Sequence, residues 1–543
     1  MEHNNVNTND VGQQQTATAT TTTNKVIMDN KTRDSKLKFV ETEMNVLNLR
    51  QDCMMQFKEK AVYDHLLKYY TEDHLKKIQV ACSQTQLYTS IRINSILTNR
   101  DQVITDLRNH FTSNNNNSNN QFTSFLSFTD ILKEKNNGGN SIDNNADNDR
   151  IIKSLNNDTI FIKTEGPFIP LPEYPQIVVD LLCGESVLRG SHVFAPGVMA
   201  SERYLRKGNL VSVFMDASNN GFPFSRGHVI DNCYGQKCVF VGNGVCQMDR
   251  NEMYQTKYGV AIEITERIWS CPPLNGVLPD KIFLQHLPSI ITVYQLDPKP
   301  GEKILDMCAA PGGKTTLIAS LLHSNKGNGG STAVGDEKQA TIIALDKNKS
   351  KVKKIEELCT RLSLDKYVKC LTKDSSKLLP QHVDINNPNN KDHLELFKEG
   401  SFDKILLDGP CSGLGARPRF REDCPIIDTT NTASFQRALL KNAIGLLKVG
   451  GLLVYSTCTI NPCENEENVA FVLNNYPQMK LVSQVPHIGQ HGLKGCGLSE
   501  PDRLLVQRFD PSDDSIGTIG FFIARFTKIN TDTPTPTLLT EGV

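Results

Sequence analysis

Lys303-Ile304-Leu305-Asp306-Met307-Cys308-Ala309-Ala310-Pro311-Gly312-Gly313-Lys314-Thr315-Thr316-Leu317-Ile318-Ala319 is the stretch that decides the fold. It reads as an apolar strand, a turn of small residues and the start of an apolar helix. A turn of that kind lets a ligand approach the backbone at the carboxyl end of a strand. Gly313-Lys314-Thr315 also resembles the end of a phosphate-binding P-loop. That loop needs a glycine five residues before Gly313, and position 308 is cysteine, so the triphosphatase reading fails.

Working downstream, strand-like runs keep alternating with helical ones, the pattern of a parallel α/β sheet of Rossmann type. Thr341-Ile342-Ile343-Ala344-Leu345 ends at Asp346, where an acid can accept hydrogen bonds from ribose hydroxyls or cap a helix. The gap before it exceeds the usual spacing of about 20 residues, because Ser324 to Gln339 is a polar, Gly-rich insert. Tyr367-Val368-Lys369-Cys370-Leu371 leads to Asp374, a candidate for the adenine side of a nucleoside or a solvated turn residue.

Phe402-Asp403-Lys404-Ile405-Leu406-Leu407 delivers Asp408-Gly409-Pro410-Cys411-Ser412-Gly413, and Leu452-Leu453-Val454-Tyr455 delivers Ser456-Thr457-Cys458-Thr459 after a helix from Phe435 to Leu447. Ligands in open parallel sheets bind beyond the carboxyl ends of the strands, so both cysteines face one crevice. One such cysteine could be a small buried hydrophobe; a pair at two strand ends, one preceded by Asp-Gly-Pro, is far more specific. The residues do not rank the two thiols. Asn461-Pro462-Cys463-Glu464 reads as a helix start, with Asn461 as cap and Glu464 closing the box.

Upstream, from Pro175, short β-type runs broken by glycine (Val193-Phe194, Leu210 to Phe214, Val239 to Val241) predict a small all-β domain over 175–263, ahead of the α/β domain over 264–528. Residues 36–174 form an N-terminal region with helical periodicity at Val62, Leu66, Tyr69 and Tyr70. Asn-rich inserts over 113–150 (Asn114 to Asn120, Asn136 to Asn148) are expected to be disordered. The Asn/Gln/Thr-rich residues 1–35 and the end 529–543 are expected to be disordered tails.

The chain has 543 residues with 59 Lys plus Arg against 60 Asp plus Glu, so global charge offers no attraction for nucleic acid and any such contact must be local. Fifteen cysteines, an odd number with no C-x-x-C pair and no secretory start, point to reduced intracellular thiols and exclude a zinc ribbon; no metal is expected. The longest apolar runs fall short of the ~18 residues of a membrane span.

Asp306 to Thr315, Asp408 to Gly413, Ser456 to Thr459 and the closing Gly520-Phe521-Phe522-Ile523-Ala524 together resemble the Sun-domain (NSUN) family of RNA cytosine-5 methyltransferases over roughly Ile264 to Lys528. Leu188-Arg189-Gly190-Ser191-His192-Val193 with Ala195-Pro196-Gly197 resembles a PUA domain, as in the PUA-containing branch of that family. Gly409 stands where many members have alanine.

The resemblance implies a class I methyltransferase domain using S-adenosyl-L-methionine, bound by Cys308, Ala309, Ala310, Pro311, Gly312, Gly313, Lys314, Asp346, Asp374 and Asp408. It implies Cys458 as nucleophile, Cys411 for release of the adduct, Asp408 at the N3 edge of the base and Lys314 beside it. The implied substrate is the acceptor stem of tRNA near the 3′ CCA end, with mRNA as a further partner, for a monomeric cytoplasmic enzyme. Arg189, Arg206, Lys207, Arg417, Arg419 and Arg421 are the candidate RNA contacts. Two rivals stand beside this reading: a noncatalytic RNA-binding or ribosome-assembly factor, and a DNA cytosine methyltransferase using Cys411.

Overall fold

The computed structural model describes residues 54–113, 124–135, 146–168, 170–218, 224–231, 238–323, 341–384 and 387–530. The expected tail over 1–35, the insert Asn114 to Asn120, most of Asn136 to Asn148, the insert Ser324 to Gln339 and nearly all of 529–543 lie outside these residues.

The α/β domain is an eight-stranded sheet. Its path runs Val368–Thr372, Thr341–Asp346, Lys303–Asp306, Phe402–Asp408, Leu447–Thr457, Phe521–Lys528 and Met479–Leu481, with Gln507–Phe509 pairing off that path to Phe521–Lys528. The first five strands are parallel and Phe521–Lys528 is antiparallel to its neighbour. Ile304, Leu305, Ile342, Ile343, Ile405, Leu406, Leu453 and Val454 are fully buried, as expected of strands covered on both faces. Strand order reverses between Lys303–Asp306 and Phe402–Asp408, and the carboxyl ends of strands at such a switch point are where ligands bind in open parallel sheets.

The β domain is a seven-stranded sheet that also carries two short helices, Leu181–Leu188 and Arg250–Gln255. Its last strand, Val260–Arg267, runs across the boundary expected between 263 and 264, because pairing with Cys238–Cys246 continues to Arg267. The domain ends later than composition suggested.

The N-terminal region is not a separate unit. Its helices Lys60–Leu66 and Glu72–Cys82 are followed by a strand, Tyr88–Ile93, where periodicity suggested only helix. That strand pairs with Thr159–Lys163 on one side and with Ile282–Leu284, from the stretch assigned to the catalytic domain, on the other. Gln56–Phe57 pairs with Arg421–Glu422.

Arg417, expected to contact RNA, is a correction. It is buried and spends its guanidinium on main-chain carbonyls: Nη1 donates to Pro511 at 2.8 Å, Nη2 to Thr85 at 2.9 Å and Nε to Gln84 at 3.3 Å. A planar, five-donor cation can satisfy several carbonyls at once, so Arg417 ties the N-terminal region to the end of the sheet. Arg417→Met leaves these carbonyls unanswered. We expect a loss of ~2–4 kcal/mol in urea denaturation, with RNA affinity of the folded fraction unchanged in filter binding.

Candidate active site

Three strand ends build the site. At the end of Phe402–Asp408, Asp408 accepts from Lys314 Nζ on Oδ2 at 2.6 Å and from Ser456 Oγ on Oδ1 at 2.7 Å. Lys314 comes from the first turn of the helix Gly313–His323, and its ammonium lies 5.3 Å from the centre of the Phe521 ring. Thr315 Oγ1 donates to Asp306 at 2.7 Å, fastening that helix to the strand before the turn. Burial pushes the Asp306 carboxyl up to about 7, and Asp408 adds to the rise.

The two cysteines meet. Cys411 Sγ and Cys458 Sγ are 3.2 Å apart; Cys458 is exposed and Cys411 half-buried. A thiol donating to a thiolate splits the pair. The hydrogen bond from Cys411 holds Cys458 below the ordinary thiol range, whereas the same bond and burial drive Cys411 well above it. Lys314 also favours the Cys458 thiolate. The thiol that is pulled down belongs to the more exposed of the two residues.

Glu464 fixes the spacing of the two loops. Its buried carboxylate accepts from Ser412 N at 3.0 Å, Ser412 Oγ at 2.5 Å, Asn461 Nδ2 at 3.0 Å and Gln436 Nε2 at 3.0 Å. Sequence reading placed Glu464 in a capping box; instead the helix starts at Glu466, with Asn465 as N-cap, and Glu464 bridges the cysteine loops. Ser412 Oγ also lies 2.9 Å from Thr459 Oγ1. Behind them Gly415 has φ +117°, and a Cβ there would lie 2.9 Å from Gly520 Cα, so only glycine allows this close approach.

On the cofactor side, the turn 308–312 is tied sideways by Ala309 N donating to Leu345 O at 2.8 Å. Gly312 has φ +104°, and a Cβ there would press on Ile355 and Leu358; one at Gly313 would meet Phe283 at 3.0 Å. A Cβ at either position would force those neighbours to give, and Gly312 also holds a positive-φ conformation that favours glycine. Cys308 is driven well above the ordinary thiol range by burial and stays a neutral packing residue. The donor set fits a nucleoside: Asp346 and Asp374 follow adjacent parallel strands. Asp346 Oδ1 accepts from Asn348 N at 2.9 Å. Asp374 accepts from Ser376 Oγ at 2.6 Å and from Lys347 at 3.1 Å; these bonds hold it below the usual carboxylate range despite partial burial. Each carboxylate retains lone pairs for ribose hydroxyls.

The remaining sequence candidates do not join this cluster. Arg189 donates to Ser186 Oγ at 2.9 Å and, at 3.4 Å, to Pro418 O. Arg419 faces Glu422 at 3.3 Å and Arg421 faces Asp423 at 2.9 Å, so both have local partners. Arg206 is solvent-facing, 3.8 Å from Asp249, and Lys207 is exposed beside it. Sequence reading missed Arg92, His65, Arg508 and the contact of Tyr70 with the nucleophile loop. The charge inside Ile91-Arg92-Ile93 was the one available signal.

Two thiols in contact at the carboxyl ends of neighbouring parallel strands, beside the switch point of the sheet, mark a Rossmann-like enzyme domain with a paired-cysteine site. Residues 293–527 match the family described as 16S rRNA methyltransferase RsmB/F, and residues 175–268 match the PUA domain. The mouse tRNA (cytosine(72)-C(5))-methyltransferase NSUN6 is 38% identical over 397 residues, 68% of this chain and 78% of the relative. The Arabidopsis thaliana rRNA (cytosine-C(5))-methyltransferase NOP2C is 30% identical over 562 residues, covering 86% of this chain and 89% of the relative. The crystal structure of NSun6 from Pyrococcus horikoshii with SFG superposes at a TM-score of 0.61 with 29% identity, covering 87% of this chain and 99% of that one. The chain belongs to the RsmB/F (Sun) family of S-adenosylmethionine-dependent RNA cytosine-5 methyltransferases, in a form carrying a PUA domain.

A donor to the thiolate lowers the Cys458 pKa, so removing that donor raises it. Iodoacetamide alkylation of Cys458, followed by mass spectrometry across pH, should reach its plateau below the ~8.5 of a free thiol. In Cys411→Ala the midpoint should move upward; an unmoved midpoint would break the donor assignment.

Proposed function

We propose that this chain methylates carbon 5 of a cytosine near the 3′ end of a tRNA acceptor stem, with Cys458 as covalent nucleophile. The observation that carries the reading is the 3.2 Å thiol pair beside the Lys314–Asp408 ion pair. S-adenosylmethionine, held by the turn 308–313 with Asp346 and Asp374, supplies the electrophilic methyl group. Carbon 5 of cytosine is a weak nucleophile until the Cys458 thiolate adds at carbon 6. Asp408, oriented by Lys314 and Ser456, shares a proton at N3 as charge develops on the ring, and Lys314 stabilises that charge. Attack of carbon 5 on the methyl group leaves one proton on that carbon. Cys411, which must first pass its own proton to solvent water, is placed to take it, so the carbon 5–carbon 6 double bond would re-form as the Cys458–carbon 6 bond breaks.

The base must leave its stack to reach the crevice. The PUA domain, with Arg189, Arg206 and Lys207, is our candidate for holding the 3′ CCA end. Messenger RNA with a similar end context is a further substrate. We place the enzyme in the cytoplasm as a monomer on the family likeness; among the described residues no helix is long and apolar enough to cross a membrane. Ribosomal RNA is the competing substrate, favoured by the relative named for rRNA that aligns over 86% of this chain.

Methylation should fall by at least about 10³-fold in Cys458→Ala, whereas Cys411→Ala should accumulate a denaturation-resistant RNA–protein adduct. Sequencing the RNA trapped by Cys411→Ala, with bisulfite mapping of tRNA and rRNA from cells lacking the protein, identifies the substrate. Adducts confined to rRNA would overturn the tRNA assignment. Full activity in Cys458→Ala would overturn the nucleophile.

A further inference from the structure

The N-terminal region contributes side chains to the back of the active site on both sides. Tyr70 Oη donates to Ile460 O at 2.6 Å, two residues beyond Cys458, and Ile460 N donates to Leu414 O at 2.7 Å, three residues beyond Cys411. The Ile460 residue thus joins the loops of both thiols, and Tyr70 holds its carbonyl. Arg508 donates to the same carbonyl at 2.9 Å and to Tyr70 Oη at 2.8 Å, its charge answered by buried Glu466. His65 Nε2 lies 3.1 Å from Asn461 Oδ1, the next residue along.

On the cofactor side, the strand Tyr88–Ile93 sends Ile91 and Ile93 into a core with Leu107 and Ile160, and Arg92 to its other face. Arg92 is buried. It donates from Nη1 to Gly313 O at 2.5 Å and from Nη2 to Thr316 Oγ1 at 2.9 Å, with its guanidinium 4.9 Å from the Phe283 ring centre. Gly313 and Thr316 open the helix that follows the turn 308–312 and flank Lys314. Nearby, Asn94 Nδ2 donates to Leu362 O at 3.0 Å, at the end of the helix Lys349–Arg361 behind the turn.

We propose that the N-terminal region is a positioning element of the catalytic centre, with Tyr70 setting the nucleophile loop and Arg92 setting the cofactor turn. This inference rests on the methyltransferase reading above. Neither residue touches the reacting atoms. Tyr70 acts through the Ile460 peptide and Arg92 through the first turn of the Gly313–His323 helix. A fixed geometry matters because small misplacements of reacting groups cost large factors in rate.

The test uses the full chain carrying Cys411→Ala, with the rate of covalent RNA adduct formation and the Kd of S-adenosylhomocysteine measured separately. Adding Tyr70→Phe, which leaves Ile460 O its bond from Arg508, should slow adduct formation at saturating cofactor by about five- to tenfold and leave the Kd within about twofold. Adding Arg92→Met should raise the Kd by about tenfold and leave the adduct rate at saturating cofactor within about twofold. Arg92→Lys should give an intermediate Kd and serves if Arg92→Met fails to fold. A merely structural role would move both quantities together in both variants, along with the melting temperature; that outcome, or no change in either quantity, overturns the proposal. If the Cys411→Ala parent itself forms no adduct with any RNA, the functional reading falls and the inference falls with it.

Discussion

Asp408 sits opposite Ser456 in the parallel pairing of Phe402–Asp408 with Leu447–Thr457, and the chemistry depends on that register. From that pair, Cys411 follows three residues after Asp408 and Cys458 two residues after Ser456, and their sulfurs meet at 3.2 Å. Strand rise is ~3.3 Å per residue, so a slip of a single residue would separate the thiols by about the distance that now joins them. It would also turn every core side chain of the slipped strand to the wrong face. The apolar runs Ile405 to Leu407 and Leu453 to Tyr455, fully buried, therefore set the alignment of the two reactive groups as well as the stability of the sheet.

Two buried acids beside the nucleophile loop use opposite means to remain there. Glu466 faces a full cation, Arg508, with which it shares two hydrogen bonds. Glu464 is answered by neutral donors from Ser412, Asn461 and Gln436, and its burial raises its pKa against their pull. Removing one partner of a buried pair leaves an uncompensated charge, whereas a carboxylate held by several neutral donors loses its support one bond at a time. The ion pair anchors the start of the helix Glu466–Asn475, and the donor-held acid sets the gap between the loops.

The β domain is coupled to the catalytic domain through the loop after Cys411. Phe420 belongs to the β-domain core, its amide donates to Glu185 at 2.9 Å, and Arg189 reaches Pro418 O. The segment that carries the second thiol is thus the one on which the RNA-binding type of domain rests.

The sequence alone determined the sheet, its two cysteine-bearing strand ends and the Lys314, Asp346, Asp374 and Asp408 positions, because apolar runs ending in small-residue turns report strand ends directly. It also determined the family likeness. It did not reveal that Arg417 is a buried clamp, that the β domain runs on to Arg267, that Glu464 bridges two loops, or that the strand holding Arg92 lies beneath the cofactor turn. Each of these is a contact between residues far apart in the chain, and no local period encodes it. The meeting of the two thiols belongs to the same class. The 3.2 Å approach of their sulfurs and the greater exposure of Cys458 are products of tertiary packing that no local pattern encodes.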